Sequence, residues 1–369
     1  MKKLVIIGAN DFQNRLILKA RALGFETHVF AWEDGAVGKE TADFFYPVSI
    51  TEKEEILRIC KTIRPSGITT IASDLAVPTV NYVAQALSLN GNPYAVSQKC
   101  TNKFEMRRAF LNHGIPTPRF IRSGASIDFC ALADFRYPLI VKPTDRSGSR
   151  GIYKVLSPEN LQAAVDLSIQ SAFEKQVIIE EFIEGQEYSC ECISYHGAHT
   201  FLAFTKKFTT GAPHYIETGH RQPSDIPQAI QEKAKAVVFK ALDALCIQNG
   251  ASHSEFKIDK AGNIGLIEVG ARMGGDCIGS DLVILSTGYD FLKMVIDVAC
   301  GQAPDLRPAG KSVSKAEIRF LFSEEDVRAL EKIKAENPAS IYRTSAIDLS
   351  NLGKIKDSAT RLGYYILTN

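Results

Sequence analysis

Two glutamates, Glu255 in HSEFKID and Glu268 in LIEVGARMGG, flank the segment Asp259-Lys-Ala-Gly-Asn263. That segment reads as a hairpin turn, with Gly262 available for a positive φ. A hairpin there sets two acidic strands side by side, so their carboxylates can meet. Mg²⁺ suits such a pair, because it takes oxygen ligands and usually shares them with substrate phosphates. Glu268 follows the apolar run Ile264–Ile267, where an isolated carboxylate is costly and a cation is the expected partner. Lysines are the alternative partners for both glutamates.

Three further segments carry groups of the same kind. In VKPTDRSGSRGIY, Val141 to Tyr153, Lys142 ends an apolar strand and a loop of Gly, Ser and Arg follows, including Ser147, Gly148 and Ser149. Backbone N–H groups and hydroxyls in such a loop suit phosphate oxygens. The P-loop pattern GxxxxGK[ST] is absent, and an ordinary glycine hairpin is the plain alternative. In IIEEFIEGQEYS, Ile178 to Ser189, a strand ends in Glu180 and Glu181, passes Phe182 and Ile183, and restarts at Glu187. An adenine needs an apolar slot with a backbone donor and acceptor, and a ribose needs an acceptor; this segment offers all of them. A hairpin with solvated glutamates is the alternative. Arg272 lies in GARMGGD, where flanking glycines leave its guanidinium room to grip a carboxylate or phosphate. In ETGHRQPSD, His220 and Arg221 are candidates for a substrate carboxylate, or else a loop pair in solvent. Lys206 and Lys207 can touch phosphate or face water, and His253 reads as a structural histidine.

The elements that must position these groups are legible in the hydrophobic pattern. Residues 1–96 alternate strands (Leu4–Ile7, Thr27–Phe30, Gly67–Ala72) with helices (Asn14–Gly24, Glu52–Ile63, Val77–Ser88), which implies a parallel sheet covered on both faces. The first turn, GANDFQNR, keeps only Gly8 of the dinucleotide fingerprint GxGxxG, so the domain reads as a Rossmann-like wall of a substrate cleft. Ser97–Gly114 reads as one helix, followed by a small α+β lobe and then a larger one. At 369 residues, two or three domains are expected. The net charge of +1 gives no support for nucleic-acid or membrane attraction, and no apolar run is long enough to span a bilayer. Eight scattered cysteines without a CxxC pair, and no signal segment, fit a reducing cytoplasm.

Taken together and in this order, these segments resemble the ATP-grasp superfamily, and its carboxylate–amine ligase branch more than biotin carboxylase. The closing DSATRLGYYI, Asp357 to Ile366, resembles the end of its amino-acid ligases. The resemblance implies an α/β chain with α+β lobes: a pre-ATP-grasp domain over 1–96, an ATP-grasp core over 97–300, and a C-terminal part over 301–369 packed on the larger lobe. Within the core, the small lobe would cover about 117–181 and the larger lobe would start near 182. It implies that Lys103, in TNKFEMR, and Lys142 hold ATP phosphates and that Ser147, Gly148 and Ser149 form a lid. Glu180 would accept from the adenine amine, Glu181 and Ile183 would offer backbone contacts, and Glu187 would bind ribose. Glu255 and Glu268 would hold Mg²⁺, with Mn²⁺ as a substitute, and Arg272 would stabilise an acyl phosphate. Many members have Asn where this chain has Gly270, which puts a second metal ion in doubt. The implied reaction joins a small-molecule carboxylate to an amine with release of ADP and phosphate; homodimers are a family expectation. The rivals are a carboxylase or formyl-type ligase of nucleotide metabolism, and a nucleotide-binding protein without ligase activity.

Overall fold

The computed structural model describes residues 1–212 and 215–369. The chain opens with β1 (Lys3–Ile7), α1 (Asp11–Ala22), β2 (Glu26–Phe30), β3 (Phe44–Tyr46), α2 (Lys53–Ile63), β4 (Gly67–Thr69) and α3 (Val77–Ala86). The four strands are parallel, in the order β3-β2-β1-β4. Leu4 to Ile7 have no exposed surface. An unbroken apolar run, rather than an alternating one, is what a strand buried on both faces requires. Helix α1 begins three residues earlier than its apolar pattern suggests, because Asn10 and Gln13 form a reciprocal capping box.

The single helix expected over 97–114 is two: α4 (Tyr94–Thr101) and α5 (Lys103–Asn112). Asn102 breaks it. Its backbone is extended, and its side chain accepts from the N–H groups of Phe104 and Glu105. A local cap competes with helix continuation at Asn, and here the cap wins. Lys103 is thereby the first residue of α5, and its N–H donates to the Thr144 carbonyl at 2.8 Å.

The small lobe contains β5 (Phe120–Ser123), β6 (Leu139–Pro143), β7 (Tyr153–Val155), α6 (Leu161–Ser171) and β8 (Val177–Glu181). Its sheet is antiparallel, in the order β5-β8-β6-β7. Beyond it come β9 (Gln186–Tyr195), β10 (Ala198–Thr209), β11 (Glu217–Gln222), α7 (Gln228–Leu245), β12 (Gly250–Ile258) and β13 (Ile264–Gly270). Then follow α8 (Val283–Thr287), α9 (Phe291–Ala299), β14 (Ala316–Leu321), α10 (Glu324–Glu336), β15 (Ile341–Thr344) and β16 (Gly363–Thr368). These strands make one eight-stranded sheet, β13-β12-β9-β10-β11-β14-β16-β15, so the last three continue the sheet of the larger lobe.

Helix α9 locks the first domain to the larger lobe. Phe291, Met294, Val295 and Val298 belong to the same buried cluster as Leu4–Ile7. A second tie joins the loop after β4 to the segment after β13: the Ala72 N–H donates to the Met273 carbonyl at 3.1 Å. No helix among the described residues is long and apolar enough to cross a membrane. All eight cysteines are unpaired thiols.

Candidate active site

The β12–β13 hairpin places Glu255 directly opposite Glu268. Its turn forms at Asp259–Asn263, with Gly262 at φ +81°. Successive side chains of a strand alternate between faces, so His253, Glu255 and Lys257 share one face of β12, and all three line the same cavity. Across β9, Glu187 is the register partner of Lys257. Every candidate for ATP, metal or acyl-phosphate contact lines this slot: Lys103, Lys142, Ser147, Gly148, Ser149, Glu180, Glu181, Ile183, Glu187, Glu255, Glu268 and Arg272. The small lobe forms one wall and the larger sheet the other.

Charges in the slot are paired across large sequence distances. Lys142 Nζ lies 2.5 Å from Glu180 Oε1. Arg107 donates from Nε to Glu180 Oε2 at 2.8 Å and from Nη1 to the Leu266 carbonyl at 2.8 Å. Burial alone would raise Glu180, but the two cations hold its carboxyl at about 2. Burial lowers Lys142, whose counter-ion Glu180 is shared with Arg107. Lys103 Nζ meets Glu268 at 2.9 Å and donates to the Arg146 carbonyl at 2.6 Å. Lys207, beneath the floor, pairs with Glu255 and with Glu187 at 3.2 Å. His253 bridges buried Glu191, at 2.5 Å, and Glu255, at 3.1 Å. Burial works against its protonation, yet Glu191 and Glu255 raise it to about 9. Burial likewise opposes ionisation of Glu255, but Lys207 and His253 hold its carboxyl far below the usual carboxylate range.

The two glutamates therefore have lysine partners, and both carboxylates also face the slot. Among the described residues there is no group of three or more His, Cys, Asp or Glu arranged to hold a metal ion. Two facing carboxylates without a full cage fit Mg²⁺, which completes its octahedron with water and phosphate oxygens. Gly270 lies against the ends of two ion-paired side chains. A Cβ there would meet Asp74 Oδ1 at 2.8 Å and Arg272 Cζ at 3.2 Å. The place of a side chain at 270 is taken by the ion pair of Asp74 with Arg272, 2.7 Å apart.

His220 and Arg221 are not brought to the slot. Their segment is a strand, β11, not a solvent loop, and consecutive strand residues face opposite ways. His220 is 1% exposed, 3.5 Å from Asp276, with its ring edge toward Phe320. Arg221 lies on the other face, 3.3 Å from Asp225. Of the same strand, Glu217 lines the slot instead.

The pattern missed several residues in or behind the slot. Arg107 sits one helical turn after Lys103, a spacing that places both on one face of α5. Lys257 follows Glu255 by two, the strand period; it is largely buried, 4.2 Å from the Phe182 ring centre, and burial lowers it. Asp74 had no local signal. In the lid, Ser149 adopts φ +58° and its hydroxyl donates to the Tyr215 carbonyl at 3.3 Å.

Residues 135–281 match the family described as ATP-grasp domain. Alanine–anticapsin ligase of Bacillus subtilis (strain 168) is 27% identical over 303 residues, covering 73% of this chain and 64% of that protein. A D-alanine–D-alanine ligase of Cupriavidus metallidurans is 26% identical over 59% of this chain and 68% of its own length. The chain thus spans less than two thirds of the length of the alanine–anticapsin ligase. The crystal structure of an L-amino acid ligase from Bacillus licheniformis superposes with a TM-score of 0.80 at 22% identity, over 100% of this chain and 93% of that one. Phosphoribosylglycinamide synthetase from Anaerococcus prevotii gives 0.78 at 22% identity, over 100% of this chain and 94% of that one. At such identities the likeness speaks for a shared fold.

Proposed function

We propose that this chain, whose residues 135–281 match the ATP-grasp domain family, is an ATP-dependent carboxylate–amine ligase acting on amino acids. The observation that carries the reading is the facing pair Glu255 and Glu268 in one slot with Lys103, Lys142 and Arg272. Names of the relatives, ligases of alanine and of D-alanine, favour amino acids as substrates.

A carboxylate and ATP repel one another, and a carboxylate oxygen is a poor leaving group. In this reading Lys103 and Lys142 take the phosphate oxygens and hold the γ-phosphoryl group in line with the acid. Glu255 and Glu268 would hold Mg²⁺, which supplies charge neutralisation of the triphosphate. The acid's oxygen bonds to the γ-phosphorus as the bond to ADP breaks. The amine then attacks the acyl carbon, phosphate leaves, and the amine's proton passes to solvent or phosphate. Arg272, oriented by Asp74, would stabilise negative charge on the transferred group. The lid over 145–151 would exclude water, which otherwise hydrolyses the intermediate.

Screening ADP release over pairs of amino acids tests the reading, with hydroxylamine added to trap the acyl phosphate as a hydroxamate. ADP, phosphate and a hydroxamate are expected. Release of AMP and pyrophosphate would overturn it.

A further inference from the structure

A second cleft, about 610 Å³, opens beside the slot, beneath the first domain. It lies at the carboxyl ends of β1, β2 and β4, where open parallel sheets bind ligands at a switch in strand order. Its two sides differ in chemistry. Toward the first domain, Trp32, Ile50, Leu75 and Pro78 line it alongside the polar Asn10 and Asp34. Trp32 is 50% exposed and Leu75 36%. Large apolar groups left open inside a cleft are what a ligand would cover. Toward the lid, the cleft shares Lys103, Arg146, Arg150, Asp74 and Glu268 with the slot, and Asp145 and Glu174 line it further out. Arg146 is stacked 4.1 Å from the Phe173 ring centre, and its buried Nε has no hydrogen-bond partner among the described residues. The junction with the slot thus sets Lys103, Arg146 and Arg150 against Asp74 and Glu268, and the far wall carries the open apolar surfaces of Trp32 and Leu75.

We propose that this cleft holds the acid that is phosphorylated, as an amino acid with a large apolar or aromatic side chain, and that Trp32 determines that specificity. The assignment rests on the ligase reading. Its geometry gives the substrate one orientation. The carboxylate turns to Lys103, Arg146 and Arg150, next to the phosphate end of the slot, and the side chain lies against Trp32 and Leu75. An acidic side chain would meet the apolar wall instead, and alanine would leave it uncovered.

Trp32 is the only tryptophan of the chain, so its emission reports on this cleft alone. With a non-hydrolysable ATP analogue and Mg²⁺ present, L-phenylalanine and L-leucine should change that emission saturably, and L-alanine and L-glutamate should need about tenfold more. With ATP and hydroxylamine, the same order should hold for ADP release. Trp32→Ala should raise KM for phenylalanine about tenfold, leave KM for ATP unchanged, and be largely rescued by Trp32→Phe. Saturable ADP release with no change in emission, a wild-type preference for alanine or glutamate, or an unaltered KM in Trp32→Ala would each overturn the assignment alone. No ADP release with any amino acid, despite normal binding of the ATP analogue, would sink the ligase reading and this assignment with it.

Discussion

In the slot, Glu180 is held by Arg107 and Lys142, Glu268 by Lys103, and Glu255 by Lys207 and His253. In the wedge-shaped cleft beneath the first domain, Trp32 and Leu75 stand open instead. The contrast separates two tasks. Paired, buried charges are rigid and costly to rearrange, which suits fixed positions around a triphosphate. An open apolar surface discriminates by size and shape, at a cost that small changes can retune. Slot substitutions should therefore cost stability or turnover, and substitutions at Trp32 or Leu75 should change preference alone.

The sharpest way to break this contrast is Glu180→Gln. It leaves Arg107 and Lys142 buried without their anion, and should cost roughly 3–5 kcal/mol in chemical denaturation. A loss comparable with that of a surface substitution would mean that the slot is not built on paired charge. Glu268→Gln should keep the fold and remove most turnover, because the exchange deletes an anionic oxygen ligand; a hundredfold loss, about 3 kcal/mol of transition-state stabilisation, is the expected scale. ADP release at saturating ATP and millimolar Mg²⁺ measures it, and near-normal turnover would remove Glu268 from the chemistry.

The pH dependence sharpens the comparison from both sides. Glu180 is depressed to about 2, so its contribution to stability is present above the ordinary carboxylate range and is lost as pH falls from about 4.5 toward 2. His253 is raised to about 9, so its contribution is complete below pH 6.5 and is lost as pH rises through 9. A shift of that size corresponds to on the order of 3–4 kcal/mol. Melting curves from pH 6 to 10 should fall more steeply for the wild type than for His253→Gln, and equal slopes would argue against a charged His253.

Lys142→Ala should weaken binding of a non-hydrolysable ATP analogue by about 1.5–3 kcal/mol, the usual worth of a charge-assisted contact, as read by calorimetry. Unchanged affinity and rate would exclude the contact. The smallest effects are expected in the lid, where two glycines differ. Gly151, at φ +70°, would place a Cβ 2.9 Å from that of Ser171, whereas Gly148, at φ +69°, has open space around it. Both Gly→Ala changes meet backbone strain, but only Gly151→Ala also meets a packed neighbour. It should give the higher ratio of ADP formed to product ligated; a lower ratio than Gly148→Ala would show that lid packing does not control water access.

Some of this architecture was determined by sequence alone, where the information is local. The DKAGN turn sets the register of β12 and β13, so the meeting of Glu255 and Glu268 follows from residues within one hairpin. The buried strand Leu4–Ile7 and the glycine-rich loop after Lys142 are likewise readable from short windows, because apolar period and turn chemistry act between near neighbours. Tertiary structure decided the rest. Arg107 reaches Glu180 across 73 residues, and Arg272 reaches Asp74 across 198. No window contains both members of either pair; each depends on how separately folded lobes pack. The break at Asn102 and the strand at Glu217–Gln222 failed to register for a related reason. A polar cap and a run of small and charged residues look like helix interior and loop until neighbouring strands and carbonyls supply their hydrogen bonds. That pairing turns His220 away from the slot and Glu217 toward it. Sequence could name the chemical groups, but only the packed lobes choose which of them face one another, because burial and pairing are properties of the assembled surfaces.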